Sequence, residues 1–416
     1  MQSNAQNIAG NVSVLLLGDS RMAFPIAKAL HKQGAQVFAG VSIYSNYLEW
    51  SRYLHGTFSH PSTDNGTDDA LPAILNWLAQ NPQIDVIQPV SESASRLIMR
   101  HRETFERIAT LIMPSSETVS LCSSKGEMFR LCRELGVPLA PFEIIESQDA
   151  LLAASQRIGF PLIVKPSNVD AELFGRKAII TQSESELASA FPAWPSEHPE
   201  LIIQKFVKGP RHSVIFSAQN GRLLKAAAVA ALRTHEDDGT GYTTLGVTVA
   251  PSQPVKDATE KLVRALDYSF TGCTQFIVDP DTGETTFMEL NPRTSLARIS
   301  EAAGVHHSLL GLQHALGVDL GDQDDAWDTK HGVRYVWTKG DLMRLKRGVA
   351  TGQKSIFQAL YELPSIGWDA VRSCHAIFDL SDPMPAIGTY LNPIIEKFRT
   401  PNDKTVTHGC EAKYQT

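Results

Sequence analysis

Residues 12 to 17, VSVLLL, are apolar without a break until Gly18, and the stretch that follows, RMAFPIAKALHKQG, changes period: Ala23, Ile26, Ala27 and Leu30 recur at helical spacing. An unbroken apolar run followed by an amphipathic one predicts a buried strand and then a helix lying against it. AQVFAGVS after Gly34 and IDVIQPVSE (residues 84 to 92) read as two further strands, with ALPAILNWLAQ as an amphipathic helix before the latter. Strands separated by helices predict a parallel sheet covered by helices.

A second segment begins near Pro114. SSKGEMFRLCRELGVPLAPF carries a capped helix, with Ser123 or Ser124 before it, Glu127 in its first turn and Gly136 after it. FPLIVKPS is a strand ending at Lys165-Pro166, and LIIQKFVKG is another ending at Gly209. HSVIFSAQNGRLLKAAAVA reads as a hairpin turning at Asn220-Gly221, and APSQPVKDATEKLVRALDYSF as a helix after prolines. The polar tail from about Thr400 reads as frayed.

In TGCTQFIVDPDTGETTFMELN two strand-like runs flank Asp279-Pro280-Asp281-Thr282-Gly283, a cluster of turn residues that predicts an antiparallel hairpin. Within its second strand Glu289 and Asn291 share one face, and Met288 and Leu290 point the other way into a core. A hairpin symmetric about Thr282 sets Gln275 opposite Glu289. Gln275, Glu289 and Asn291 then converge as three oxygen donors, a set suited to a hard cation such as magnesium. Arg293, beyond Pro292, adds a planar donor fork for a phosphate or carboxylate. A solvent-facing polar strand face is the plainer alternative for the same residues.

Charge and cysteines narrow the classes. The net charge of −7 and pI near 6.0 give no reason to expect a nucleic-acid partner, and Lys339, Arg344, Lys346 and Arg347 read as a solvated helix face. Five cysteines, far apart and without a CxxC, indicate neither a zinc site nor a disulfide framework, which points to a reducing compartment. VSVLLLG is too short for a signal segment or a membrane span, so a cytoplasmic protein without a membrane span is expected. The first strand is followed by Gly18-Asp19-Ser20-Arg21-Met22-Ala23, without the glycines of a dinucleotide-binding turn. The Asp19 to Arg21 turn and Glu92 lie at strand carboxyl ends, as ligand contacts or as ordinary turn and cap residues.

Two lysines join the hairpin in a recognisable order. Lys125 opens a helix, Lys165 ends a strand, a further strand ends at Gly209, and a hairpin bearing Glu-x-Asn-Pro-Arg follows. This order, from about Ser116 to Gly317, resembles the ATP-grasp superfamily, and its carbamoyl phosphate synthetase-like members in particular. The resemblance implies an α/β chain: a Rossmann-like domain (1–115), an ATP-grasp domain of two α+β subdomains (116–320) and a C-terminal extension (321–416) similar to that of predicted ATP-grasp carboligases. It implies that Gln275, Glu289 and Asn291, with Arg293 beside them, hold two magnesium ions. It further implies that Lys125 and Lys165 contact the ATP phosphates, and that Gln204, Lys205, Phe206 and Val207 form the hinge whose backbone reads adenine.

Two departures stand out. SNVDAELFGRKA has one glycine, Gly175, where many relatives have a Gly-rich phosphate flap, and Arg211 stands where an acid usually binds ribose. The implied activity is ATP- and Mg-dependent ligation of a small-molecule carboxylate to an amine through an acyl phosphate; the sequence does not name the oligomeric state, a homodimer being one option. A carboxylase or carbamoyl phosphate-type reaction, and a regulatory or scaffold protein without turnover, are the alternatives. Arg233 opens the charged, then Gly-rich loop RTHEDDGTGYTTLG and is the candidate anchor for a carboxylate or phosphate, with a solvated hairpin tip as the alternative. Ser295 and Arg298 follow the hairpin closely enough to reach the same pocket.

Overall fold

The computed structural model describes residues 12–398 except Asp19, 43–46, Asn65, 169–170, Asp238, Thr240 and 322–324, with backbone alone for 392–398. The tail from Thr400, and Asp19 of the first turn, lie outside the described residues.

Strands β1 (Ser13–Leu17), β2 (Gln36–Ser42), β3 (Gly56–His60), β4 (Val86–Pro89) and β5 (Thr110–Leu111) form a parallel sheet in the order β3-β2-β1-β4-β5. The unbroken apolar run of β1 has a direct cause. Val14 and Leu16 pack with Phe24, Ile26 and Leu30 on one face, while Leu15 and Leu17 pack with Ile74, Leu97 and Ile98 on the other. Strand order reverses between β1 and β4, so the crevice over their carboxyl ends is a place where open parallel sheets bind ligands. Only glycine fits at position 18 there: φ is 116° and an added Cβ would stand 2.3 Å from Ser91 Oγ, which caps helix Glu92–Arg100. Edge strand β3, GTFSH, has too few apolar positions to have announced itself.

Strands β6 (Phe142–Ile145), β7 (Leu162–Pro166), β8 (Ile179–Thr181) and β9 (Leu201–Lys205) form an antiparallel sheet in the order β6-β9-β7-β8. Helices Gln148–Ile158 and Glu184–Ala190 cover the face carrying Leu162 and Val164. Lys165 alternates with Val164 and leaves that core for the other face.

Strands β10 (Arg211–Gln219), β11 (Arg222–Thr234), β12 (Thr243–Val249), β13 (Phe270–Val278), β14 (Thr285–Asn291), β15 (Arg334–Val336) and β16 (Cys374–His375) make the third sheet. Its order is β14-β13-β10-β11-β12-β15-β16, antiparallel but for the last pair. Asn220 and Gly221 both have positive φ, 50° and 72°, as a two-residue turn of this sequence favours. Helix Lys125–Glu134 lies between the second and third sheets: Met128 and Phe129 share a core with Phe142 and Ile202 on one side and Phe276, Phe287 and Leu290 on the other.

Residues beyond 320 are built into this frame. They supply β15 and β16, and helices Thr338–Ala350 and Ile356–Val371 between them. The basic group on the first of these helices is not a solvated face. Asp341, Arg344, Leu345 and Gly348 form a buried stripe, Arg344 pairs with Asp237 and Glu362, and Arg347 pairs with Glu236 at 2.7 Å. Lys346 alone of Arg344, Lys346 and Arg347 is exposed, because the helix packs on acids that lie far away in sequence. Among the described residues no helix is long and apolar enough to cross a membrane.

Candidate active site

The β13–β14 turn is held by Asp279 Oδ1, which accepts the N–H groups of Asp281 and Thr282 at 2.8 Å each. From this turn the strands pair Gln275 with Glu289, Thr274 with Leu290 and Cys273 with Asn291, the register expected from the symmetry of the turn residues. One detail differs. Between Gln275 and Phe276 the register shifts, Phe276 opposes Phe287, and Met288 is left as the extra residue of a bulge. Phe287 and Leu290, rather than Met288 and Leu290, therefore enter the core, and Met288 is half-buried. The bulge directly precedes Glu289.

Beyond it the polar side chains form a relay. Asn291 Nδ2 donates to Glu289 Oε1 at 2.8 Å, and Arg293 Nη2 donates to Asn291 Oδ1 at 3.2 Å and to Glu92 Oε2 at 3.0 Å. Arg293 Nη1 reaches Ser295 Oγ at 3.3 Å. Arg293 thus ties the hairpin to the carboxyl end of β4 across 201 residues. Burial works to raise the Glu92 carboxyl, but the charges of Arg293 and Arg96 outweigh it and hold the group below its ordinary range.

Facing this hairpin is the lysine pair. Lys125 is the first residue of a helix capped by Ser124, whose Oγ accepts from Glu127 N–H at 3.3 Å. The Lys125 N–H donates to Ser167 O at 2.7 Å, which fastens the helix start to the end of β7. Lys165 Nζ donates to Gln204 Oε1 at 3.0 Å and lies 4.6 Å from the centre of the Phe129 ring. Burial lowers the Lys165 pKa, the Lys125 charge lowers it further, and the Glu289 charge opposes both, leaving it at about 7. Two ammonium groups and one carboxylate therefore share one space between the sheets.

Arg211 joins them from the start of β10. Its Nη2 donates to Thr243 Oγ1 at 3.1 Å, while its buried Nε has no partner among the described residues. Burial depresses its pKa and the nearby Glu289 charge opposes that. Gln275 is held on the neighbouring strand, opposite Ser213.

The four hinge residues divide. Gln204 is buried against Lys165, whereas the Lys205 ammonium turns to the carbonyl oxygens of Gly159 and Phe160. The N–H groups of Lys205 and Phe206 bond Pro141 O at 2.8 Å and Pro161 O at 3.0 Å. Phe206 and Val207, both half-buried, lead on toward β10. The flap is a tight turn: Leu173 and Arg176 exchange N–H···O bonds around Phe174 (φ 51°) and Gly175 (φ 74°). Leu173 roots it in the core of the second sheet, and Phe174 is left more than half exposed.

Arg233 is elsewhere engaged. Its Nε and Nη2 donate to the two oxygens of Asp341 at 2.7 Å each, and its Nη1 donates to Asp369 at 3.1 Å. The loop it opens is held by helix Thr338–Ala350 through the ion pairs of Glu236 and Asp237 already described. Arg298 turns from the hairpin to Asp379, at 2.9 Å. Arg21, from the turn noted after the first strand, has partners that the sequence did not indicate: its guanidinium lies 4.2 Å from the Trp337 ring centre and 4.9 Å from that of Tyr242. No local signal links those three residues.

The charges of Lys125 and Glu289 both act on Lys165, Glu289 also acts on Arg211, and Arg293 holds Asn291, which in turn holds Glu289, with Gln275 opposite Glu289 in the ladder. Such a grouping suits a polyanion accompanied by a hard cation. Among the described residues no group of three or more His, Cys, Asp and Glu side chains converges on a metal position, so a cation here depends on carboxamide oxygens beside one carboxylate.

Comparison with known proteins reaches the same region. Residues 125–322 match the family described as carbamoyl-phosphate synthase L chain, ATP binding domain. The chain is 25% identical over 230 residues to the carbamoyl phosphate synthase arginine-specific large chain of Bacillus subtilis, covering 54% of this chain and 22% of that one. It is 28% identical over 159 residues to a formate-dependent phosphoribosylglycinamide formyltransferase of Rhodococcus jostii, covering 38% and 37%. The matches thus span well under half the length of these relatives. Among solved structures, biotin carboxylase from Campylobacter jejuni superposes with a TM-score of 0.62 at 19% identity, over 80% of this chain and 75% of that one. An ADP complex of N5-carboxyaminoimidazole ribonucleotide synthetase gives 0.60 at 16%, over 87% and 98%. At these identities the structural likeness concerns the fold.

Proposed function

We propose that this chain, whose residues 125–322 match the ATP binding domain of the carbamoyl-phosphate synthase L chain, is an ATP-grasp ligase that uses ATP and magnesium to activate a small-molecule carboxylate as an acyl phosphate and joins it to an amine. The observation that carries the reading is the pairing of Gln275 with Glu289 on a hairpin whose carboxylate acts on the Lys165 ammonium, itself next to Lys125.

The residues fit the groups this reaction needs. Glu289 Oε2 makes no hydrogen bond among the described residues and stands beside two carboxamides, a donor set for a hard cation that keeps water and phosphate oxygens as its other ligands. Gln275, Glu289 and Asn291 are assigned to hold two magnesium ions, whose chemistry would be neutralisation of phosphate charge. Lys125 and Lys165 are assigned to the phosphates of ATP and the Gln204–Val207 segment to adenine. Arg293, positioned by Glu92 and Ser295, steadies charge on the transferred phosphoryl group or on the substrate carboxylate. A substrate carboxylate oxygen takes the γ-phosphoryl group as ADP departs, and the amine then displaces inorganic phosphate. Phosphoryl transfer of this kind rests on positioning and electrostatics, so no nucleophilic side chain is required.

The domain reading belongs to the proposal: a Rossmann-like unit over 1–115, the ATP-grasp unit over 116–320 and an extension over 321–416. In this scheme Arg233 braces the extension against β11. The relatives named for carbamoyl phosphate synthesis and formate-dependent transfer lend weight to an activated carboxylate or carbonate. Arg211 beside Glu289 and the Phe174–Gly175 flap favour one second reading, a nucleotide-binding regulatory protein. The test is release of ADP and phosphate from MgATP with pooled carboxylic acids crossed against pooled amino acids and amines. Release that requires one acid and one amine is expected. Tight magnesium-dependent ATP binding with no release from any pool would support the second reading instead.

A further inference from the structure

Helix Ile356–Val371 is inside out. Its start is set locally, since Ser355 and Gln358 form a reciprocal cap with bonds of 3.2 and 2.7 Å. The face it turns to the rest of the chain carries its two acids. Glu362 accepts from Arg344 and from Lys354 (2.8 Å), and Asp369 accepts from Arg233 (3.1 Å) and Arg334 (2.9 Å), with Ile366 buried between them. The opposite face is apolar and open: Phe357 is 84% exposed, Tyr361 86%, Val371 81%, and Ile356, Leu360 and Trp368 between 55% and 63%.

These side chains recur at helical spacing and leave on the order of 800 Å² uncovered, about one partner's share of a standard protein interface and more than a monomer commonly exposes in one patch. We propose that this face is the contact between two copies of the chain, packed as an antiparallel pair of Ile356–Val371 helices about a twofold axis.

Three observations choose that occupant. Within the helix the outward face carries no acid or base, and the cation at its edge, Arg372 just past the C-terminus and 4.8 Å from the Trp368 ring centre, lies at opposite ends of an antiparallel pair, so two copies meet without like-charge repulsion, whereas the −7 charge of the chain disfavours an anionic membrane surface. The tail 399–416 offers only Val406 and Tyr414 as large apolar side chains, too few to cover the face. The shape is self-complementary as well: Pro364 and Gly367, the latter with nothing within 4 Å of an added Cβ, form a low middle between Phe357, Leu360 and Tyr361 on one side and Trp368 and Val371 on the other. Two such faces crossing at their middles seat the bulky ends of each beside those of the other.

The test is the mass of the full chain by sedimentation equilibrium at micromolar concentration, alone and with Phe357→Asp/Tyr361→Asp, with circular dichroism as the check on folding. A dimer for the parent and a monomer for the folded double variant are expected, with association weakened at least ~100-fold, the scale of losing central aromatic contacts. Independently of that variant, Gly367→Cys in a Cys410→Ser background should form a disulfide-linked dimer on mild oxidation. A monomeric parent, a dimer that survives the double substitution, or no cross-link at position 367 would each overturn the proposal. Flotation of a monomeric parent with phosphatidylcholine–phosphatidylglycerol vesicles would assign the face to a membrane instead.

Discussion

The β13–β14 hairpin and helix Ile356–Val371 are both two-faced, and they are mounted in opposite senses. The hairpin buries Phe287 and Leu290 and presents Glu289 and Asn291 to a cleft shared with Lys165. The helix turns a half-buried Glu362 and a buried Asp369 inward and presents Phe357 and Tyr361 to the outside. An amphipathic pattern therefore marks that an element has two faces without saying which one the chain will cover. In the hairpin, hydrophobic burial decides. In the helix, the countercharges of Arg233, Arg334, Arg344 and Lys354 decide, because an acid held by several cations loses little on leaving water.

The largest effect should come from the inward charges. Arg233→Ala leaves Asp341, whose side chain is fully buried, without its bidentate partner and should cost about 3–5 kcal/mol in urea unfolding. Replacing the pair together, Arg233→Met with Asp341→Leu, should recover part of that loss. An Arg233→Ala chain that keeps its stability would show that the clamp does not hold the extension.

Glu289→Gln is the counterpart on the hairpin. It should leave the unfolding midpoint nearly unchanged and lower nucleotide turnover by ~10²–10³-fold, the scale of losing one well-placed electrostatic group. Turnover equal to that of the parent would remove the hairpin from the chemistry.

Lys165 provides a pH signature. With a pKa of about 7 in place of the ordinary 10.5, it is neutral in most molecules at pH 8, and phosphate binding favours the charged form. Binding of MgATP above pH 7 should therefore take up a proton, seen as buffer-dependent heats in calorimetry, and affinity should fall as pH rises. Lys165→Arg should flatten both dependences. Between about 7 and 10.5 the unfolded chain binds more protons at this residue than the folded one, so its stability penalty shrinks as pH rises across that window. Affinity that is level from pH 6 to 9 would contradict the crowded lysine pair.

The smallest effect is expected on the outward helix face. Phe357→Ser, measured by unfolding in solution dilute enough to hold single copies, should change stability by no more than about 0.5 kcal/mol, because the ring touches little of its own chain. A loss of several kcal/mol would mean that the face is covered within the protomer.

The amino-acid order by itself determined the elements whose energetics are local: the buried strand 13–17, the Asn220-Gly221 turn, a serine cap before Lys125, which the structure gives to Ser124 over Ser123, and the Gln275–Glu289 register. Turn residues, caps and periodicity act within a few residues, so they can be read in line. The bulge at Met288 escaped because it arises from how two strands settle against a shared core. Arg233 read as a ligand anchor, and Arg344 and Arg347 as a solvated face, because their partners lie far off in sequence, Asp341 and Asp369 at 108 and 136 residues from Arg233. Only the folded chain decides which charges meet, how far Lys165 is stripped of water, and which side of a helix is left open, since Coulomb and desolvation energies depend on distances through space rather than along the chain.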